Sequence, residues 1–126
     1  MKYASICGCN DEEFREMAGV SRKTFHALVE IIRSAFSARH SGRGRHPNLC
    51  VEDMVLASLK HWRGVAYGVV GPAFGLHKCN MCRVVKWVER SLESADVLRV
   101  NETRTRFSQL TEYERSLLNA DESLGA

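Results

Sequence analysis

The sequence contains little that would break a helix, build a sheet or cross a membrane. Only two of its 126 residues are proline, and the apolar–polar alternation typical of strands is scarce. The longest stretch without Lys, Arg, Asp or Glu is residues 64–77, which includes four glycines and Pro72. It is too short and too interrupted for a membrane helix, which needs about 20 apolar residues. The length also excludes a doubly wound sheet, a TIM barrel or a large two-domain enzyme.

A targeting signal and an even set of cysteines are also missing. The first ten residues are too short for a signal-peptide core, and three acidic residues follow at once. Five cysteines are an odd number, so reduced thiols are the default in a chain without a signal peptide. The sequence therefore predicts a cytoplasmic protein, associated with the nucleoid if it binds DNA.

Charge is present in an ordinary amount but is unevenly distributed. The formal net charge of +3 divides into −1 for residues 1–32, +7 for residues 33–86 and −3 for residues 87–126. A concentrated positive segment favours phosphate-bearing partners, because binding releases the counterions condensed on a nucleic acid. A solvated basic surface without such a partner would have the same composition, so charge alone leaves both interpretations open.

Helical periodicity dominates the chain and predicts an all-α fold with four main helices. Asn10 and Ser21 are suitable N-caps, and Gly19 is a suitable stop between them. The expected helices cover residues 11–18, begin after Ser21, begin near Cys50 or Val51, and cover residues 78–94. A weak further helix is expected near the C-terminus, where Thr111 and Glu114 have capping-box spacing.

The apolar pattern occurs twice, 56 residues apart. Phe25, Leu28, Val29, Ile32 and Phe36 correspond to Met81, Val84, Val85, Val88 and Leu92. The same offset places the turn at residues 19–21 on the turn at residues 75–77. A glycine, an apolar residue and a polar cap before an amphipathic helix are typical of a helix-turn-helix. The chain is therefore expected to contain two helix-turn-helix-like units.

The outer face of the fourth helix has the composition of a DNA-reading surface. Asn can pair with adenine, Arg can pair with guanine, and Lys can neutralise phosphates. A flexible Arg-rich arm can lie in the minor groove, which makes the Arg-Gly-Arg run before Pro47 a second candidate. The candidate DNA-binding residues are Arg43, Arg45, Lys78, Asn80, Arg83, Lys86 and Arg90. A solvent-exposed helix face and an ordinary linker that do not contact DNA could have the same residues, so both interpretations remain open.

Metal binding and catalysis have weaker support. Cys79 and Cys82 have ligand spacing, but they fall inside a predicted helix and no second pair matches them. No nucleophile triad, phosphate-binding loop or metalloprotease motif occurs. We therefore expect no catalytic residue, no metal site and no cofactor.

Several runs resemble bacterial insertion-sequence transposases of the DDE superfamily. The likeness covers roughly residues 1–94 and is carried by residues 13–33, 44–53, 74–76 and 82–89. Its most specific elements are Leu-x-x-Glu-Asp at residues 49–53 and Cys-Arg-x-x-x-Trp-Val-Glu at residues 82–89. The resemblance implies an N-terminal helix-turn-helix region that recognises the terminal inverted repeats of the element. It also implies a following catalytic domain with three acidic metal ligands, which we do not expect in this chain.

The chain departs from that family at several positions. The family commonly has Ser where Cys50 and His77 stand, so two good helix caps are expected to be missing. Pro72 replaces a bulky helix former and is expected to break or kink the helix before the second turn, unless it lies in that helix's first turn. Residues 95–126 match no known pattern.

These observations predict four regions and one leading function. Residues 1–38 form an N-terminal helical hairpin, 39–49 a basic linker, 50–94 the DNA-binding helix-turn-helix unit, and 95–126 a divergent, partly disordered tail. We expect a non-enzymatic DNA-binding part of a transposase, from a truncated, frame-shifted or split element. Its expected partners are double-stranded DNA, a separate catalytic transposase subunit and a second copy of the chain, with no membrane. The alternatives are a small transcriptional regulator and a helical protein-interaction module.

Overall fold

The protein is described by a computed structural model that covers residues 3–40, 49–99 and 105–125. Those residues form seven helices and no strand, which confirms the predicted all-α fold. The helices are α1 (Tyr3–Ile6), α2 (Asp11–Ala18), α3 (Arg22–His40), α4 (Val51–Trp62), α5 (Tyr67–Ala73), α6 (Lys78–Ser94) and α7 (Arg106–Gly125).

The first turn forms as its capping residues predict. The Asn10 side chain accepts a hydrogen bond from the Glu13 backbone N–H at 2.8 Å and so caps α2. Gly19, at φ 86°, ends α2, and its N–H donates to the Arg15 carbonyl. This left-handed conformation is the one that glycine adopts without strain. The Ser21 hydroxyl then accepts from the Thr24 N–H at 3.2 Å and caps α3.

Helix α4 lies at the centre of the core. Most of its residues are buried, from Asp53 to Leu59 without interruption, and a helix that is buried on most of its sides is typical of a core position. It contacts every other helix of the described ranges. Its one fully buried hydroxyl, that of Ser58, donates to the Met54 carbonyl at 2.8 Å and is therefore satisfied.

The two predicted apolar stripes both face this core. On α3, Phe25, Leu28, Val29 and Ile32 are buried, and on α6, Met81, Val85, Val88 and Leu92 are buried. An aromatic cluster extends the core toward the N-terminus, where the ring of Phe25 lies 5.3 Å from the rings of both Tyr3 and Phe14. The repeated sequence pattern therefore predicted which sides of α3 and α6 are buried.

Helix α5 contains the proline that was expected to break or kink it. Pro72 lies inside α5, not in its first turn, and the helix ends one residue later at Ala73. Pro72 lacks an N–H and therefore cannot complete the bond to the Gly68 carbonyl four residues earlier. Because only Ala73 follows Pro72 in α5, the missing hydrogen bond falls in the last turn and does not interrupt the helix.

Of the two helix caps that were expected to be missing, at Cys50 and His77, only the one at Cys50 is missing. Cys50 makes no side-chain hydrogen bond to the start of α4. His77, however, accepts a hydrogen bond through Nδ1 from the Cys79 N–H at 3.2 Å and so caps α6. An imidazole nitrogen without a proton is an acceptor, which allows His77 to replace a hydroxyl at this position.

The expectation of a weak helix capped by Thr111 is also wrong. Helix α7 begins at Arg106 and runs for 20 residues, and the Thr105 hydroxyl accepts from the Ser108 N–H at its start. Gln109, Leu110 and Glu114 are buried, so this part of α7 packs against the rest of the domain. Glu114 does not cap α7. It accepts from the Arg15 guanidinium and from the Ser21 N–H, and so ties α7 to the first turn.

Candidate nucleic-acid interface

The turn between α5 and α6 is closed by three backbone hydrogen bonds. The N–H groups of Phe74 and Leu76 donate to the Gly71 carbonyl at 2.9 and 2.8 Å, and the Gly75 N–H donates to the Pro72 carbonyl at 3.1 Å. Gly75, at φ 77°, adopts the left-handed conformation that this arrangement requires. A Cβ atom on Gly71 would lie 2.7 Å from the Leu76 carbonyl oxygen. The close approach of α5 to the turn therefore depends on a glycine at position 71.

Helix α6 leaves this turn with its apolar stripe against the core and its polar side toward solvent. The polar side contains five of the predicted DNA-binding residues, and all five are exposed. Arg83, Lys86 and Arg90 recur three and four residues apart, so they follow one line along the helix. We call the five residues the α6 basic face: Lys78, Asn80, Arg83, Lys86 and Arg90.

The side chains of the α6 basic face have no partners among the residues that the structure describes. Neither an ion pair nor a side-chain hydrogen bond involves any of the five within these ranges. The only acidic residue between Lys78 and Arg90 is Glu89. Its carboxylate is bound by Arg106 of α7, whose Nε and Nη2 both donate to Oε1. The positive charge on this face is therefore not neutralised from within the described domain.

The corresponding face of α3 is arranged differently. Arg22, which matches Lys78, donates to the Cys7 and Cys9 carbonyls, pairs with Asp11 and lies over the Phe14 ring. Arg33 pairs with Glu52 and Glu30. Two of the arginines of α3 are thus used inside the domain, which leaves them less available to an external anion.

A stacked pair of rings lies near Cys82 and Glu89 of α6 and was not predicted from the sequence. The Tyr67 ring stacks on the His61 ring with centroids 3.8 Å apart, and His61 Nδ1 is 2.8 Å from the Val65 carbonyl oxygen. Burial, and then the nearby Cys82 and Glu89, raise the pKa of Tyr67 to about 12. The phenol therefore remains neutral at physiological pH. His61 and Tyr67 are only six residues apart, but they belong to different helices, so the contact of their rings depends on the bend between α4 and α5.

Two of the predicted DNA-binding residues, Arg43 and Arg45, lie outside the described residues. The cysteines Cys79 and Cys82 lie one turn apart on α6, and all five cysteines are free thiols. Among the described residues, no three His, Cys, Asp or Glu side chains gather as metal ligands would. None of the helices in the described ranges is both long and apolar enough to span a bilayer.

The fold and this face define a class: an all-helical protein with a helix-turn-helix-like hairpin, whose second helix presents basic side chains that have no partner in the described part of the chain. A more particular relationship comes from sequence. The chain is 36% identical over 96 residues to the "Probable transposase for insertion sequence element IS702" of Microchaete diplosiphon. The alignment covers 75% of this chain and 34% of that protein, so the chain spans about a third of the relative's length.

This similarity confirms the predicted resemblance to an insertion-sequence transposase over the matched part of the chain. No protein-family model matches the chain. No solved structure matches it at a significant level.

Proposed function

We propose that the α6 basic face binds double-stranded DNA at the terminal inverted repeats of an insertion sequence. The described residues would thus act as the DNA-binding part of a transposase. The observation that supports the proposal is the set of four exposed cations on α6 that have no partner in the described structure. The transposase relative supports the same assignment.

Each residue of the α6 basic face suits a particular contact. Asn80 and Arg83, in the N-terminal half of α6, are of the types that pair with the edges of adenine and guanine in the major groove. Lys78 and Lys86 suit phosphate contacts, because a Lys ammonium acts as a flexible point charge. Arg90 lies one turn beyond Lys86 and suits a further phosphate contact. The face therefore combines base readout near the turn with phosphate contacts along the helix.

The proposal predicts strongly salt-dependent binding to duplex DNA. If the four cations each neutralise one phosphate, the logarithm of the association constant should fall with the logarithm of salt concentration with a slope of about −3 to −4. Fluorescence anisotropy with a labelled duplex, titrated at several salt concentrations, measures this slope. Affinity that does not change with salt would contradict the phosphate contacts.

Single substitutions test whether α6 is the helix that reads the sequence. Arg83→Ala should cost about 1–3 kcal/mol on the preferred duplex if Arg83 contacts a base. Arg115→Ala is the matched control, because Arg115 is exposed on α7 and its removal changes the net charge equally. Equal losses for both variants would mean that general charge, and not α6, determines binding.

The choice of DNA tests the link to transposition. A duplex carrying the inverted repeats that flank this gene should bind more tightly than a scrambled duplex of the same length and composition. A preference for the promoter region of a neighbouring gene would instead favour the transcriptional regulator. A chain that binds no duplex at all would favour the protein-interaction module.

A further inference from the structure

Glu89 has the only carboxylate in the Lys78–Arg90 stretch of α6, and this carboxylate is bound by Arg106 of another helix, α7. Glu89 lies three residues after Lys86 on α6. Its carboxylate receives two N–H donors from Arg106, at 2.8 Å from Nε and 2.5 Å from Nη2. The Glu89 side chain is only 20% exposed, whereas Arg106 is 42% exposed. The carboxylate is therefore directed toward α7 and held there.

Without Arg106, the Glu89 carboxylate would have another cation within reach. Side chains three residues apart are neighbours on a helix surface, and Lys and Glu in that arrangement attract each other. A carboxylate freed at this position would also repel the phosphates that approach Lys86. In the described structure Glu89 pairs with Arg106, and Lys86 has no partner among the described residues.

We propose that Arg106 is a positioning residue for DNA binding. It holds the Glu89 carboxylate on α7 and thereby leaves the Lys86 ammonium free to contact a phosphate. The inference rests on the proposed function, because it assigns Arg106 a role only if the α6 basic face binds duplex DNA. Arg106 itself contacts Glu89 and is not required to touch DNA.

A second arginine–carboxylate contact with α7 provides a matched control. Arg15 of α2 donates through both Nη atoms to one Glu114 oxygen, at 2.9 and 2.7 Å. Arg15→Gln therefore removes a two-donor contact between α7 and another helix, with the same loss of charge as Arg106→Gln. It differs in leaving Glu89 and Lys86 untouched.

The experiment is a double-mutant cycle on the full chain, with affinity for a labelled duplex as the readout. We expect Arg106→Gln to weaken binding at 0.1 M salt by about five- to tenfold, the amount that one lost phosphate contact costs. Glu89→Gln should bind at least as tightly as the unmodified chain. The double variant, with Glu89→Gln and Arg106→Gln, should recover to within about twofold of Glu89→Gln, and Arg15→Gln should bind like the unmodified chain.

The salt slope of the double variant separates positioning from direct contact. Under the proposal it equals the slope of the unmodified chain, because no phosphate contact is lost once the carboxylate is neutral. If Arg106 itself contacts a phosphate, the double variant stays weak and its slope is smaller by about one. That result, or an undiminished affinity for Arg106→Gln, would overturn the proposal.

Two further measurements keep the outcome unambiguous. Circular dichroism and thermal unfolding of each variant show whether it is folded at the temperature of the binding assay. If the unmodified chain binds duplex without salt dependence, the proposed function itself fails. If it binds with salt dependence and Lys86→Ala weakens it, but the cycle shows no coupling between Glu89 and Arg106, only the positioning role fails.

Discussion

Helices α3 and α6 share a sequence pattern but use their charges in opposite ways. Both follow a Gly-apolar-polar turn, both bury the same stripe, and the offset between them is 56 residues throughout. On α3, Arg22 and Arg33 are bound by groups of the same domain, whereas the cations of α6 are free of partners within the described ranges. The apolar pattern therefore determines which side is buried, and the neighbouring helices determine which charges remain available.

The turns that precede these helices differ as well. The first is closed by one bond, from the Gly19 N–H to the Arg15 carbonyl. The second is closed by three bonds, two to the Gly71 carbonyl and one to the Pro72 carbonyl. Arg15 is the counterpart of Gly71 in the repeat, so a large side chain is accepted at this position in the first turn. In the second turn a Cβ atom there would meet backbone.

The largest effect is expected from testing this difference between the turns. Gly71→Ala should destabilise the protein by about 2–4 kcal/mol, because its Cβ would lie 2.7 Å from a backbone oxygen that cannot move independently. Gly68→Ala is the matched control on the same helix, since its Cβ would meet nothing within 4 Å. It should be neutral or stabilise by up to about 1 kcal/mol through helix propensity. Urea denaturation measures both, and equal stabilities would contradict the tight second turn.

A smaller effect is expected when Lys86 of α6 is replaced by glutamate, the residue at the corresponding position of α3. Lys86 corresponds to Glu30, which lies 3.7 Å from Arg33 on α3. Lys86→Glu should therefore remove one phosphate contact and pair with Arg90 one turn later, lowering duplex affinity by about 10- to 100-fold. Arg115→Glu is the control with the same change in charge on α7. A similar loss in both variants, measured by anisotropy at fixed salt, would show that the position on α6 is unimportant.

The smallest effect is expected on the free energy of unfolding, from the ion pair between Arg33 of α3 and Glu52 of α4. Burial acts to raise the pKa of Glu52, but its own backbone N–H and the Arg33 guanidinium outweigh this and hold the pKa below its usual value of 4.5. A carboxyl whose pKa is lowered on folding stabilises the protein above the unfolded pKa. That contribution is lost as the pH falls through the folded pKa.

The difference in unfolding free energy between the unmodified chain and Glu52→Gln should therefore be below about 1 kcal/mol at neutral pH, since the pair is partly exposed. It should shrink as the pH falls below about 4.5. Urea titrations across this range provide the measurement. A difference that grows toward acid pH would have the wrong sign for a stabilising Arg33–Glu52 pair.

Local signals in the sequence were sufficient for most of the fold. The caps at Asn10 and Ser21, the stop at Gly19 and the stripe of α6 all depend on residues within a few positions of each other. The cap at His77 was missed because imidazole is an uncommon acceptor at that position. The start of α7 was missed because Thr111 and Glu114 imitate a cap, whereas Thr105 provides the real one.

The candidate site shows the same division between local and long-range information. The exposure of Lys78, Asn80, Arg83, Lys86 and Arg90 follows from the position of the apolar stripe on the same helix, and it was predicted. That these side chains have no partner among the described residues could not be predicted, because a partner can come from any helix that packs nearby. The contact of Arg106 with Glu89, 17 residues earlier in the chain, is long-range information of this kind.

The sequence by itself determined that the chain is helical, that α3 and α6 repeat one pattern, and which of their sides are buried. These properties depend on periodicity and capping, which act over one or two helical turns. Only the tertiary structure decided that Arg22 and Arg33 of α3 are paired, whereas the cations of α6 have no partner among the described residues. The residues that form the ion pairs of these helices, including Glu52 on α4 and Arg106 on α7, are distant along the chain. Packing brings them within the few ångströms over which ion pairs form.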